Sequence, residues 1–348
     1  MIASDSSKGD SGKRQMANCE GDLMELVYLS RRDVEDVGMT MGEVLEALDG
    51  GFRLKGLGKT EMPPKPGIHP RPDSFIHAMR AYVSGIEAAG LKWVSGYPAN
   101  PRADLPYISG LVVLNDAGSG LPIAVMDASW ITAMRTGASA GISAKYLAGA
   151  HSAVIAIIGC GVQNRCSLMA LRDTLAELRE VRCYDKLPEA SRGFVSEMSG
   201  RFPDLSFVVC ASAAEAVHPA DVVVSAIPIV TAPHPELEAG MLKAGALAVS
   251  LDYDSAWSSE AMRECDKFCS DDVGQLLATK AQGHYFGGIP DEIYADLGEL
   301  AAHIKPGRAA VTERIFSMNM GIAVDDIVTA QVIYERAIMA GVGLRLPL

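Results

Sequence analysis

No uninterrupted apolar run in the chain reaches the roughly 18 residues from which a membrane-spanning helix is read. The polar stretch from Met1 to about Asp22 lacks the apolar centre of a signal peptide, and residues 1–25 read as a solvated, disordered lead-in. Basic residues are in the minority. The 31 Lys and Arg against 43 Asp and Glu give a formal charge of −12, a surface that repels phosphate backbones and anionic lipid headgroups. Neither nucleic acid nor a membrane is therefore an expected partner. The seven cysteines (Cys19, Cys160, Cys166, Cys183, Cys210, Cys265 and Cys269) show no framework spacing, and an odd number of scattered thiols points to a reducing cytoplasm. Cys265 and Cys269 have a helical spacing, but no second Cys or His pair lies close by. No HExxH occurs among the seven histidines, so no metal site is expected.

What is present suits two cores. A length of 348 residues is about twice a typical domain, and 49% of the residues are apolar. An apolar run at Leu26–Leu29 is followed by a predicted helix from about Arg32 to Leu57, with Val34, Val37, Met41, Val44, Leu45 and Leu48 on one face. After the Pro-rich segment around Pro63–Pro72, strand-like pieces recur at Phe75–Val83, Leu91–Gly96, Ile108–Leu114 and Pro122–Asp127, separated by Gly, Asn and Pro. The expectation is a mixed, largely antiparallel sheet closed by a long helix, Ser129–Leu147. Near Ala150 the texture changes. Apolar strands at Val154–Gly159, Glu180–Asp185, Ser206–Ala211, Asp221–Ile227 and Leu247–Asp252 alternate with helical stretches at Gln163–Leu178, Pro188–Gly200 and Ala213–Val217. That alternation implies an α/β, doubly wound parallel sheet. Val311–Gly341 reads as one long helix or two in series, packing back on the first region. The expected division is 26–149, completed by about 312–348, and 150–311.

Strand Val154–Ile158 runs into Gly159-Cys-Gly161-Val162-Gln163-Asn164 and then a helix, the G-x-G-x-x part of a dinucleotide-binding fingerprint. Gly159 permits the tight turn. Gly161 lets the backbone approach a pyrophosphate at a helix N-terminus, whose amides and dipole favour an anion. Asn164 replaces the third glycine. The next strand ends at Asp185, an acid placed to accept ribose hydroxyls and to repel a 2′-phosphate. NAD is thus favoured, with NADP kept open by the neighbouring Lys186.

The stretch Pro122-Ile-Ala-Val-Met-Asp127-Ala-Ser-Trp-Ile-Thr132-Ala-Met-Arg135-Thr136-Gly-Ala-Ser-Ala140 resembles the signature of the ornithine cyclodeaminase/μ-crystallin family. Gly159-Cys-Gly-Val-Gln163 is similar to that family's cofactor loop, and Leu91-Lys92-Trp-Val-Ser-Gly-Tyr-Pro-Ala-Asn100 to its substrate-lysine segment. The resemblance covers nearly the whole chain from about residue 26. It implies a first domain that binds substrate and forms a homodimer, and a second, Rossmann domain that binds NAD(P). It also implies hydride transfer at the amine- or imine-bearing carbon of a small amino acid. The leading expectation is an imine (ketimine) reductase or amino-acid dehydrogenase. The alternatives are an ornithine-type cyclodeaminase working with bound NAD, or a non-catalytic ligand binder.

The same resemblance assigns roles. Lys92 and Arg135 match the cations that hold the substrate carboxylate, and Lys65 stands where the ornithine enzymes carry an arginine. Asp254 matches the catalytic aspartate, with Asp252 as its rival; both also suit caps ahead of a helix at Ser255–Met262. Thr136, Val162, Gln163 and Ala226 join Gly159, Gly161 and Asp185 in the expected cofactor set. Where the ornithine enzymes place a glutamate for the side-chain amine, this chain has His77, and Arg80 replaces a proline. Losing that anion argues against ornithine or lysine, and Arg80 raises the prospect of a substrate with a second carboxylate. The loop His284-Tyr-Phe-Gly-Gly is expected to pack near the cofactor or simply close the fold.

Overall fold

The computed structural model describes residues 24–348, so Cys19 and most of the expected lead-in lie outside it. The chain opens with β1 (Glu25–Leu29), one residue before the expected start of the folded region, then α1 (Arg31–Asp36) and α2 (Met41–Gly56). The single predicted helix is thus broken in two. Gly38 takes a positive φ of 75°, and Thr40 begins a new capping box with Glu43, donors and acceptors being exchanged at 2.8 and 3.3 Å. Short strands β2 (Thr60–Glu61) and β3 (Gly67–Ile68) flank the Pro-rich segment. They are followed by β4 (Phe75–Val83), β5 (Ala88–Gly96), β6 (Ile108–Asp116), β7 (Pro122–Asp127) and α3 (Ser129–Leu147).

The second half runs β8 (Val154–Ile158), α4 (Val162–Thr174), β9 (Glu180–Tyr184), α5 (Pro188–Arg201), β10 (Ser206–Val209), α6 (Ala213–Val217), β11 (Val222–Ser225) and β12 (Leu247–Ser250). It continues through α7 (Ser259–Arg263), β13 (Lys267–Ser270), α8 (Val273–Ala281), β14 (Ala295–Asp296), α9 (Leu297–Ala301) and β15 (Ile315–Met318), and ends with α10 (Ala323–Ala340) and β16 (Leu344–Pro347). Cys269 lies in a strand, so its spacing from Cys265 is not helical.

Two sheets result. The first has the order β16-β1-β7-β6-β5-β4-β2, with β3 also paired to β4; it is antiparallel except where β1 runs parallel to β7. The second has the order β10-β9-β8-β11-β12-β15-β13-β14, and every pairing in it is parallel. Its topological switch lies between β9 and β11 on either side of β8, where a crevice opens at the strand C-termini. The Val311–Gly341 segment corrects the sequence expectation. Its first part supplies β15 to the parallel sheet, and only Ala323–Ala340 is helix. A fully buried apolar strand and a stretch of buried helix share the same short apolar pattern, so periodicity does not separate them.

Helix α3 is the spine between the two sheets. It packs on α4, and a Cβ at Gly137 would lie 2.3 Å from the backbone of Cys166. The small residues after Arg135 therefore serve close helix contact, which holds the start of α4 beside the start of α3. Helix α10 covers the inner faces of β4, β5 and β6. Among the described residues, no helix is long and apolar enough to cross a membrane.

Candidate functional site

The loop after β8 is shaped by two glycines with different reasons. Gly159 has φ 84°, and a Cβ there would lie 2.5 Å from the carbonyl oxygen of Ala226 at the end of β11. Gly161 is the N-cap of α4 with no side-chain cap, and a Cβ there would meet nothing within 4 Å. The first-turn amides of α4 consequently open onto free space, the setting in which a pyrophosphate binds. Asn164 takes over the third glycine's place by stapling the loop: its Nδ2 donates to the carbonyls of Ile158 (2.9 Å) and Gly159 (2.6 Å). Val162 is exposed at the helix start.

Asp185 sits just past β9 against this loop. Its two oxygens accept from the Cys160 amide (2.8 Å) and the Leu187 amide (2.9 Å), leaving further lone pairs for ribose hydroxyls. Lys186 is paired with Glu236 at 3.1 Å, which answers its charge locally. The donor set, the open cradle and the placed acid fit an adenine dinucleotide.

From the same loop a cavity of about 120 Å³ extends between the sheets, lined by residues that include Gln163, Thr136, Arg135, Lys92, Lys65 and His77. The middle of β5 places Lys92 on the inner face of its sheet, fully buried, with Nζ 2.6 Å from Asp326 Oδ1. Arg135, near the start of α3, brings Nε to 2.9 Å from the same oxygen. One carboxylate thus gathers two cations at the cavity wall. Lys65, from the Pro-rich segment, donates to the carbonyls of Met320 (2.7 Å) and Gly321 (3.1 Å). Burial, reinforced by Arg135 and opposed by Asp326, pushes Lys92 down to about 7. Burial likewise lowers Lys65 to about 8, against the pull of Asp271. His77 stacks on Phe75 with ring centroids 4.4 Å apart. Burial, then the charge of Lys65, lowers His77 to about 3, so its imidazole is neutral at ordinary pH.

Three acids behind this wall carry no motif that sequence reasoning used. Asp325 and Asp326 occupy the first turn of α10, and Asp271 follows β13; all three are fully buried. Asp271 accepts from the Gly321 amide at 2.6 Å, and burial raises it to about 6. Burial raises Asp325 well above the carboxylate range, and neither of its oxygens has a hydrogen-bond partner among the described residues. Gly321 has φ 76°, and a Cβ there would lie 2.3 Å from Arg135 Nη1, so the guanidinium rests directly on the backbone. The signal in the sequence is the acidic pair Asp325-Asp326 shortly past Gly321, which marks a helix start at Ala323 rather than the Val311 that periodicity suggests.

Two expected site residues lie elsewhere. Arg80 is exposed on the outer face of β4, because strand alternation sends Phe75, His77 and Met79 inward to the cavity and Arg80 outward. It does not reach a substrate held there. Asp254 is half-buried and does not line the cavity; its Oδ2 accepts from the Phe286 amide at 2.7 Å, and burial raises it. It anchors the His284–Gly288 loop, which carries Tyr285 to the cavity. Asp252, the rival, is fully buried and accepts from Ser225 Oγ (2.9 Å), Ser250 Oγ (2.7 Å) and the Ile227 amide (3.0 Å). It ties the ends of β11 and β12 together. Neither aspartate caps the following helix, which Ser258 caps. Among the described residues, no three His, Cys, Asp or Glu side chains converge as metal ligands.

A sequence profile of the ornithine cyclodeaminase/mu-crystallin family matches residues 24–341. The alanine dehydrogenase of Archaeoglobus fulgidus is 34% identical over 329 residues, which span 93% of this chain and 98% of that protein. The Δ(1)-pyrroline-2-carboxylate reductase of Thermococcus litoralis, solved with NADH and L-proline, superposes with a TM-score of 0.82 at 32% identity, covering 92% of this chain and 99% of that one. An archaeal alanine dehydrogenase dimer solved with NAD gives a TM-score of 0.82 at 33% identity, over 93% and 99% of the two chains.

Proposed function

The chain belongs to the ornithine cyclodeaminase/μ-crystallin family, and from that premise we propose that it is an NAD(P)H-dependent imine reductase or amino-acid dehydrogenase, acting at the nitrogen-bearing carbon of a small amino acid. One observation carries the reading: Lys92 and Arg135 converge on Asp326 in a cavity that opens onto the uncapped N-terminus of α4 through Thr136 and Gln163. A carboxylate held by those cations is thereby set beside the place where a nicotinamide would lie. The cofactor, when bound, supplies or accepts a hydride at that carbon.

The chain's own residues do the rest. Gly159, Gly161, Val162, Gln163 and Ala226 shape the cradle, Asp185 takes the ribose, and its charge disfavours a 2′-phosphate, so NAD is the preferred form. Arg135 grips the substrate carboxylate with its planar fork, and Lys65 and Lys92 add point charges. Lys92, brought down to about 7, is able both to hold a proton and to release one to the substrate nitrogen. Asp254 acts through the loop it anchors. Asp326 keeps Lys92 and Arg135 in place.

The outer face of the first sheet bears Trp93, Leu111 and Tyr28, which are 47%, 43% and 37% exposed, and Trp93 and Leu111 are neighbours in register. An apolar sheet face of this kind is the surface we assign to a homodimer. The free thiols among the described cysteines suit a reducing cytoplasm. The functional reading is tested by following NADH absorbance with 2-oxo acids plus ammonia or methylamine and with preformed cyclic imines. Substrate-dependent loss of NADH that falls at least ~10-fold in Arg135→Ala is expected. Binding of NADH without turnover of any of these compounds would refute it.

A further inference from the structure

We propose that the cavity selects 2-imino acids, and the matching amino acids, that carry one carboxylate and an uncharged side chain, with His77 as the residue that turns away a second charge. The proposal rests on the functional reading above and narrows it.

The charges of the site set the first limit. Lys65, Lys92 and Arg135 supply three cations. Asp326 answers Lys92 and Arg135 directly, and Asp271, ionised above about 6, lies behind Lys65. Burial raises Asp325, and neither of its oxygens has a hydrogen-bond partner among the described residues. Arg135, Lys65 and Lys92 are thus the basic groups that one substrate carboxylate meets in the cavity. A second carboxylate would enter a buried site without a cation of its own, because among the described residues no further Lys or Arg lines the cavity. Arg80, the arginine of β4, faces outward.

The opposite charge fares no better. No Asp or Glu among the described residues lines the cavity, so a terminal ammonium would lose its water without gaining an anion. Asp326 is occupied by two cations, and Asp271 is turned to the Gly321 amide. The sheet face around Lys92 is otherwise apolar, with Met79 beside it in register, Val94 two residues along the same strand, and Phe75 and Ile108 further along the cavity. His77 completes it as a neutral ring, held between its stack on Phe75 and the close approach of Gly67, where a Cβ would lie 2.4 Å from His77 Cδ2. Burial, and then the charge of Lys65, keeps that ring from becoming a cation for a carboxylate, and it has no negative charge for an ammonium.

The experiment compares kcat/KM of the full chain with NADH across matched substrates. Each reduction breaks the C=N π bond, forms C–H and N–H, and consumes one NADH and one proton. The uncharged set is Δ1-pyrroline-2-carboxylate, Δ1-piperideine-2-carboxylate and 2-oxobutyrate plus methylamine; the charged set is oxaloacetate and 2-oxoglutarate, each with methylamine. In the reverse direction, proline is set against ornithine and glutamate with NAD. A preference of at least ~100-fold for the uncharged members is expected. His77→Glu is expected to raise kcat/KM for ornithine ~10-fold or more while His77→Gln keeps the wild-type preference. Equal turnover of charged and uncharged substrates would overturn the selection while leaving the reductase reading intact. Absence of NADH consumption with every compound, despite NADH binding seen by fluorescence, would overturn that reading and this proposal with it.

Discussion

Lys92 has its pKa lowered by burial among cations, yet its ammonium faces a carboxylate at 2.6 Å. Only its protonated form attracts a substrate carboxylate or donates a proton to nitrogen. Reductive kcat/KM should therefore be sustained at low pH and fall as pH rises through about 7 to 8, the range in which Lys92 and then Lys65 lose their protons. Lys92→Arg cannot deprotonate in that range. It is expected to lower kcat/KM and to move the alkaline limb upward to the one set by Lys65; a pH profile unchanged by the substitution would contradict the assignment. Lys92, Arg135 and Lys65 were legible because a family motif marks them, and Gly159, Gly161 and Asp185 because strand, turn and acid come at fixed intervals. Arg80 was misread for a physical reason. In Phe75-Ile-His-Ala-Met-Arg the residues on both faces are largely apolar, so alternation gives the period but not which side faces inward. The acids at 325, 326 and 271 become visible only when helix, strand and loop from distant parts of the chain meet.

Local backbone constraints govern the elements that carry these residues. The link from β15 to α10 turns at Gly321, whose carbonyl accepts from Lys65 and from Gln275 Nε2 at 3.2 Å, and whose amide donates to Asp271. Gly321→Ala adds a Cβ at positive φ against Arg135 and is expected to cost about 1–3 kcal/mol in urea denaturation. It should also raise KM more than it lowers kcat, since it moves the carboxylate-binding guanidinium rather than the reacting carbon. Wild-type stability and KM would show that the guanidinium does not depend on this turn. Asp252 gives a second case, because it collects two hydroxyls and an amide at the ends of β11 and β12, and Trp257 Nε1 extends the network to Ser225 Oγ at 2.9 Å. Asp252→Ala leaves the Ser225 hydroxyl and the Ile227 amide without this acceptor, while Ser250 Oγ keeps the Tyr253 carbonyl, and a loss of about 1–3 kcal/mol is expected by the same denaturation measurement. A loss below ~0.5 kcal/mol would argue that water replaces the carboxylate. Most strands and the helices α3, α4, α5 and α6 were readable from periodicity. The break at Gly38 and the strand Ile315–Met318 were not, since one needs a capping geometry and the other a neighbouring strand to be recognised.

At the scale of the whole molecule, two sheets of different character share one cavity, and helix α3 packs against strands of both. The mixed sheet supplies Lys92 inward and an apolar face outward; the parallel sheet supplies the glycine loop. If the outer face pairs with a second copy, Trp93→Glu buries a charge there and should shift the particle mass measured by light scattering from dimer to monomer. An unchanged mass would place the interface elsewhere. The central claim is that hydride passes between a nicotinamide and the nitrogen-bearing carbon of a substrate anchored by Lys92 and Arg135. Its most direct test is mass spectrometry of the amino acid formed from the best imine substrate with NADH deuterated at the transferable position. The account predicts one deuterium at Cα for each cofactor oxidised; an amino-acid product formed without deuterium would contradict it.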